Sequence, residues 1–96
     1  MESKIKKLAV IGSGQMGAGI AQVAAQAGLG VVVVDASSDA LKKAQTNILK
    51  SLEKLFEKKQ ITENPQTVFG RLCFETATSH LKDWAPELVV EAIVEN

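Results

Sequence analysis

The segment L-A-V-I-G-S-G-Q-M-G, from Leu8 to Gly17, runs an apolar block directly into a glycine-rich turn. Leu8-Ala9-Val10-Ile11 has no polar alternation, which is the pattern of a strand buried on both faces. Beyond the glycines the sequence is alanine-rich and free of proline from Gln15 to Ala27. Met16, Ile20, Val23, Ala24 and Ala27 recur there at helical spacing, and Gly28 supplies a C-terminal stop. Val31-Val32-Val33-Val34 then forms a second buried strand that ends at Asp35. Because neither strand alternates, a parallel pair linked by a helix fits better than a hairpin with one wet face.

Working outward, Ser37, Ser38 and Asp39 are candidate N-caps for a longer helix through about Lys59. Its apolar stripe is Leu41, Ala44, Ile48, Leu52 and Leu55, widened by Leu49 and Phe56. Thr62–Gln66, around Pro65, reads as a loop. Arg71–Thr76 reads as a third strand, Ser79 to Pro86 as a connector, and Leu88–Ile93 as a fourth strand. The order β-α-β-α-β-connector-β, with right-handed crossovers, implies a parallel sheet in an α/β fold. The chain stops at Val94-Glu95-Asn96 with no helix after that strand, the pattern expected of a domain truncated there.

Composition bounds the function. A chain of 96 residues suits one small domain. Eleven Lys and Arg balance eleven Asp and Glu, so the basic excess of a general nucleic-acid binder is missing. Its longest apolar runs, Leu8–Ile11 and Val31–Val34, are far too short to span a bilayer. Met1 to Leu8 runs straight into strand sequence, with no room for a secretory or transit peptide. A single cysteine, Cys73, allows no internal disulfide and fits a reducing compartment. The expectation is a soluble, intracellular domain. Cys73, between Leu72 and Phe74, reads as a buried structural thiol. His80 reads as a surface residue and Trp84 as a packing anchor, and no Cys/His cluster has metal-ligand spacing.

Gly12-Ser13-Gly14-Gln15-Met16-Gly17 is G-x-G-x-x-G, a weak signal alone and a strong one in this setting. It follows a buried strand, opens a helix, and an acid ends the next strand 18 residues after Gly17. Gly12 permits the tight turn, Gly14 lets the backbone approach a pyrophosphate, and Gly17 lets the helix pack closely. Unpaired N–H groups of the first helical turn then face the phosphates. Met16 reads as a flexible filler beneath the dinucleotide. Asp35 would accept hydrogen bonds from the adenosine ribose. A 2′-phosphate would meet that carboxylate, and Ala36-Ser37-Ser38 offers no arginine to neutralise it, so NAD is expected over NADP. The alternative is a glycine-rich turn with no ligand.

The run Gly12-Ser-Gly-Gln-Met-Gly-Ala-Gly-Ile-Ala-Gln-Val-Ala-Ala, with Val33-Val34-Asp35 and the closing Leu88-Val-Val-Glu-Ala-Ile-Val-Glu-Asn, resembles the L-3-hydroxyacyl-CoA dehydrogenases. The similarity is to the start of their NAD-binding domain and covers essentially the whole chain, more loosely across Gln66–Pro86. It implies a Rossmann-type sheet, with the fourth strand beside the first on the side opposite the second. That strand would be an open edge, inviting self-association. The resemblance also implies oxidation of a 3-hydroxyacyl-CoA to a 3-oxoacyl-CoA, with hydride passing to NAD, in fatty-acid β-oxidation. It places Gly12–Gly17 on the pyrophosphate, Asp35 on the ribose and Glu95 at the nicotinamide half. Ser51 and Lys58, on one face of the long helix with Lys54, match positions that contact CoA in the family; a solvated lysine face is the alternative.

In the family a histidine base, its glutamate partner and a C-terminal helical domain that forms the dimer interface lie beyond this length. Residues 1–96 are therefore expected to be the N-terminal portion of an NAD-binding domain, without catalytic residues. The whole protein is expected to be a homodimer in the mitochondrial matrix or the cytoplasm. Two other readings stay open. One is a non-catalytic dinucleotide-binding or interaction module; the other is an NAD-dependent dehydrogenase with a different substrate on the same scaffold.

Overall fold

Val31 to Val34 are all buried, and the strand that contains them, β2 (Gly30–Val34), lies inside the sheet. The computed structural model describes residues 6–76 and 86–92. Along the chain it runs β1 (Lys7–Ile11), α1 (Gln15–Gln26), β2, α2 (Ser38–Glu57), α3 (Pro65–Phe69), β3 (Leu72–Glu75) and β4 (Leu88–Glu91). All pairings are parallel and the sheet order is β3-β2-β1-β4. Leu8 pairs with Val31 on one side and Leu88 on the other, which places β4 beside β1 as the fingerprint implied.

Strand alternation sends two sets of side chains to opposite faces. Leu8, Val10, Val31, Val33 and Leu72 pack with Ala21 and Ala25 of α1, Leu41, Ile48 and Leu52 of α2, and Val68 of α3. Ala9, Val32 and Val34 form a smaller cluster on the other face.

Local chemistry explains the ends. Gly28 turns the chain out of α1 at φ 95°, a conformation that side chains resist. Of the three candidate caps for α2, Ser37 serves: its Oγ accepts from the Ala40 N–H at 3.1 Å. Asp39 sits in the first turn, where the helix dipole favours an acid. Arg71 ties the far end of the molecule together. Its Nη1 donates to the Ala25 carbonyl of α1 at 2.8 Å and to Glu63 Oε1 at 2.9 Å, and its Nη2 also bonds Glu63.

Four expectations need correction. Thr62–Gln66 is not loop throughout, because Asn64 caps α3 by accepting from the Gln66 N–H at 2.8 Å. Pro65 then starts that helix, at the position where its missing N–H costs nothing. In α1 the residues facing the sheet are Gly17, Ala21 and Ala25, whereas Met16 and Val23 are 58% and 66% exposed. The helix lies so close to the strands that small residues fill the contact, while Ile20 and Ala24 of the expected stripe are partly buried against the same core. Phe56 does not extend the buried stripe of α2 and is exposed. Cys73 is exposed too, since it lies on an outer strand and points away from its neighbour Leu72, which takes the core side.

Truncating Leu52, which has no exposed surface, to alanine should cost about 2–5 kcal/mol of unfolding free energy. Val23→Ala, on the open side of α1, should stay within about 0.5 kcal/mol. Urea unfolding followed by circular dichroism compares the two.

Candidate functional site

The turn between β1 and α1 depends on two glycines for different reasons. Gly12 has φ 104° and its N–H donates to the Val34 carbonyl at 2.7 Å, carrying the β1–β2 pairing one step past the strand. A Cβ on Gly17 would lie 1.9 Å from the Gly12 carbonyl oxygen and 3.4 Å from Val10 Cγ1. Only hydrogen fits there. Gly14 is the opposite case. A Cβ built on it meets nothing within 4 Å, so nothing in the chain itself demands a glycine.

Gly14 is also the N-cap of α1, with φ −64° and ψ −171°. No side chain caps the helix, and its first turn holds no acid. The opening N–H groups of α1, which have no partner within the helix, therefore meet neither a capping oxygen nor an acidic side chain of that turn. Such an end favours an anion through its N–H groups and its dipole. Beside it is a groove of about 310 Å³ between α1 and α2, lined by Ser13, Gly14 and Gln15 and by Lys43 and Asn47 of α2. Lys43 and Asn47 escaped the sequence reading, although they stand four apart beside the buried Ala44 and so share one face of α2.

Asp35 closes the site from the end of β2. Its Oδ2 accepts from the Ser13 N–H at 2.9 Å and from the Ser13 hydroxyl at 2.8 Å. Its Oδ1 accepts from the Ser37 N–H at 2.9 Å. The Ser37 N–H bond, then the Ser13 N–H bond, hold the carboxyl below the usual aspartate range; partial burial opposes them and the Ser13 hydroxyl adds to them. Asp35 is thus a carboxylate fixed against the glycine turn. The sequence reading anticipated the acid and the turn but not the bond between them.

The other candidate residues are placed less closely. Gln15 and Met16 are exposed, and Met16 fills no gap in the core. Ser51 is half-buried and its Oγ accepts from Gln22 Nε2 of α1 at 2.9 Å, so it joins the two helices. Lys58 is the exposed C-cap of α2, seven residues on and along the same face. Glu95 lies outside the described residues, as do His80 and Trp84. Among the described residues no group of His, Cys, Asp and Glu could hold a metal, and no helix is long and apolar enough to cross a membrane.

Uncapped amides at the start of α1, an open place at Gly14 and a carboxylate acceptor at the end of β2 are the groups a dinucleotide needs. Residues 7–96 match the family described as 3-hydroxyacyl-CoA dehydrogenase, NAD binding domain. The chain belongs to this family. The cofactor of the 3-hydroxyacyl-CoA dehydrogenases is NAD, and the residues just described fit it. A Deinococcus radiodurans protein named probable 3-hydroxybutyryl-CoA dehydrogenase is 55% identical over 91 residues, covering 94% of this chain and 32% of its own. The mouse protein named hydroxyacyl-coenzyme A dehydrogenase, mitochondrial, is 48% identical over 96% of this chain and 31% of its own. The crystal structure of (S)-3-hydroxybutyryl-CoA dehydrogenase from Ralstonia eutropha superposes with a TM-score of 0.87 at 37% identity, over 97% of this chain and 32% of that one. The chain spans about a third of the length of these relatives.

The two glycines should separate by experiment. Gly17→Ala should cost about 3 kcal/mol or more, because backbone would have to move. Gly14→Ala should change stability by less than about 1 kcal/mol yet weaken NADH binding at least roughly tenfold, by holding phosphate away from the amides. Thermal melts and calorimetric titration read the two effects.

Asp35 gives a pH signature. With its pKa lowered in the fold, its contribution is complete above the unfolded value of about 3.9 and is lost as pH falls through the lower folded value. The stability gap between wild type and Asp35→Asn should therefore be constant from pH 7 to about 5 and close below about pH 4. Denaturant titrations across that range measure it.

Proposed function

We propose that this chain is the N-terminal portion of the NAD-binding domain of an enzyme that oxidises a (S)-3-hydroxyacyl-CoA to the 3-oxoacyl-CoA in fatty-acid β-oxidation. The observation that carries the reading is the union of Asp35 with the glycine turn, beside an uncapped helix end and an open Gly14. In this reading Gly12–Gly17 hold the pyrophosphate, with Gln15 and Met16 contributing through the backbone and Ser13, whose N–H is given to Asp35, through the shape of the turn. Asp35 accepts from the adenosine ribose and turns away a 2′-phosphate, and Glu95 serves the nicotinamide half. NAD, when bound, supplies the hydride acceptor. The chain's own share is to bind and orient, and no catalytic base is assigned within it. By itself it is expected to bind cofactor without turnover.

Ser51 and Lys58 are the proposed contacts to CoA. Their shared face of α2 supports this, as does the Ser51 hydroxyl, which accepts from Gln22 and still has its own proton to give to a phosphate. The acyl-CoA class is supported by the names of the relatives, 3-hydroxybutyryl-CoA dehydrogenase among them. A homodimer of the whole protein belongs to the same proposal. So does a location in the mitochondrial matrix or the cytoplasm, the former supported by the mouse relative's name. Leu88 and Val89, exposed on β4, support pairing of that strand with a second copy of the chain.

Parallel calorimetric titrations with NADH, NADPH and acetoacetyl-CoA test the function. NADH should bind at least about tenfold tighter than NADPH, because a carboxylate faces the 2′-phosphate at close range. Acetoacetyl-CoA binding should weaken in Lys58→Ala. Equal affinity for the two nicotinamide cofactors would remove Asp35 from the ribose, and loss of both would remove the site.

A further inference from the structure

We propose that Ser13 is the positioning residue of the ribose site: its hydroxyl fixes the Asp35 carboxylate so that Oδ1 is the oxygen offered to the ribose. The proposal rests on the NAD reading above. In the fingerprint the position of Ser13 needs only a backbone that can turn. The residue is nevertheless only 4% exposed, the one buried polar residue among the described residues. It spends that burial on a single partner, donating to Oδ2 of Asp35 at 2.8 Å.

Counting acceptor sites gives the consequence. Each carboxylate oxygen offers two lone pairs. Both lone pairs of Oδ2 go to Ser13, one to its N–H and one to its hydroxyl. The Ser37 N–H takes one on Oδ1. One acceptor place is left, and it is on Oδ1. A ribose hydroxyl can give its proton there. A 2′-phosphate dianion brings charge and no proton, and it meets a carboxylate that three hydrogen bonds prevent from turning aside. With the Ser13 hydroxyl removed, one fewer bond holds the carboxylate in place, and it can rotate away from a phosphate. Ser13 therefore contributes to discrimination between cofactors and not only to affinity.

The test uses the 96-residue chain and compares wild type with Ser13→Ala, Ser13→Gly, Ser13→Thr, Asp35→Asn and the double variant Ser13→Ala/Asp35→Asn. NADH and NADPH are titrated calorimetrically at pH 7 and fixed ionic strength, with circular dichroism to verify folding. Removing the hydroxyl should weaken NADH roughly fivefold, the scale of one ordinary hydrogen bond, and leave NADPH unchanged or tighter. The NADH/NADPH ratio should thus fall in both the Ala and the Gly variant, and Thr should restore it. On the Asp35→Asn background, Ser13→Ala should leave the ratio where it is. An equal loss for both cofactors, or an undiminished Ser13 effect once Asp35 is neutralised, would overturn the proposal and leave Ser13 a structural residue. Should Ser13→Ala fail to fold, the Gly variant, which adds no atom to the turn, carries the same expectation. Wild type binding neither cofactor would overturn the NAD reading itself, and this proposal with it.

Discussion

Between Gly17 and the carbonyl oxygen of Gly12 there is no space for a methyl group. That single approach fixes how α1 sits on the sheet. It brings the first turn of the helix against the carboxyl end of β1, so the uncapped amides stand where the strand ends. It also dictates which residues of α1 can face inward. Gly17, Ala21 and Ala25 recur every four residues along the contact, and any larger side chain at the first of them would lift the helix off the strands. The parallel order follows from the same geometry, since a helix packed this tightly over β1 returns the chain to β2 beside it.

Asp35 is the second half of that arrangement. It stands at the end of β2, an inner strand, where two loops approach one another, and it binds both. Ser13 in the glycine turn and Ser37 at the cap of α2 donate to its two oxygens. Three hydrogen bonds to one carboxylate compensate its partial burial and keep it charged. The residue that would read the ribose is thereby also the residue that sets the spacing between the turn and α2. Binding and local order depend on one group, which is an economical way to have the site already formed before a ligand arrives.

The sequence showed most of this because the features involved are local. A four-residue apolar block, a glycine past a helix end and a serine before one each act within a few positions, and β1, β2, Gly28 and Ser37 were all legible for that reason. Long-range contacts were not. The stripe of Met16, Ile20, Val23, Ala24 and Ala27 in α1 is a genuine helical pattern, and Ile20 and Ala24 pack against the core, but periodicity does not say that Gly17, Ala21 and Ala25 meet the sheet when the approach selects for small size. Asn64-Pro65 read as a break because proline ends helices; here it begins one, with asparagine as the cap. The burial expected of Cys73 came from its neighbours in sequence, and an outer strand has one side with little over it. The Ser13–Asp35 bond spans 22 residues and leaves no mark in either segment alone.

The position of β4 sets how the cofactor divides over the chain. β1 lies between β2 and β4, and the connection reverses direction there, since β2 and β3 extend to one side and β4 to the other. In an open parallel sheet the crevice for a ligand is at that reversal, outside the carboxyl ends of the strands. Ile11 pairs with Glu91, and the Ala92 N–H donates to the Ile11 carbonyl at 2.8 Å, so the carboxyl ends of β1 and β4 are level. In the proposed reading a dinucleotide centred on the glycine turn would have its adenosine half over β2, against Asp35. On the same reading its nicotinamide half would lie on the β4 side. The described residues hold the groups that this reading assigns to the adenosine half, the uncapped amides of α1 and the fixed carboxylate of Asp35. On that reading recognition of the adenosine half and placement of the nicotinamide half lie on opposite sides of one strand, β1.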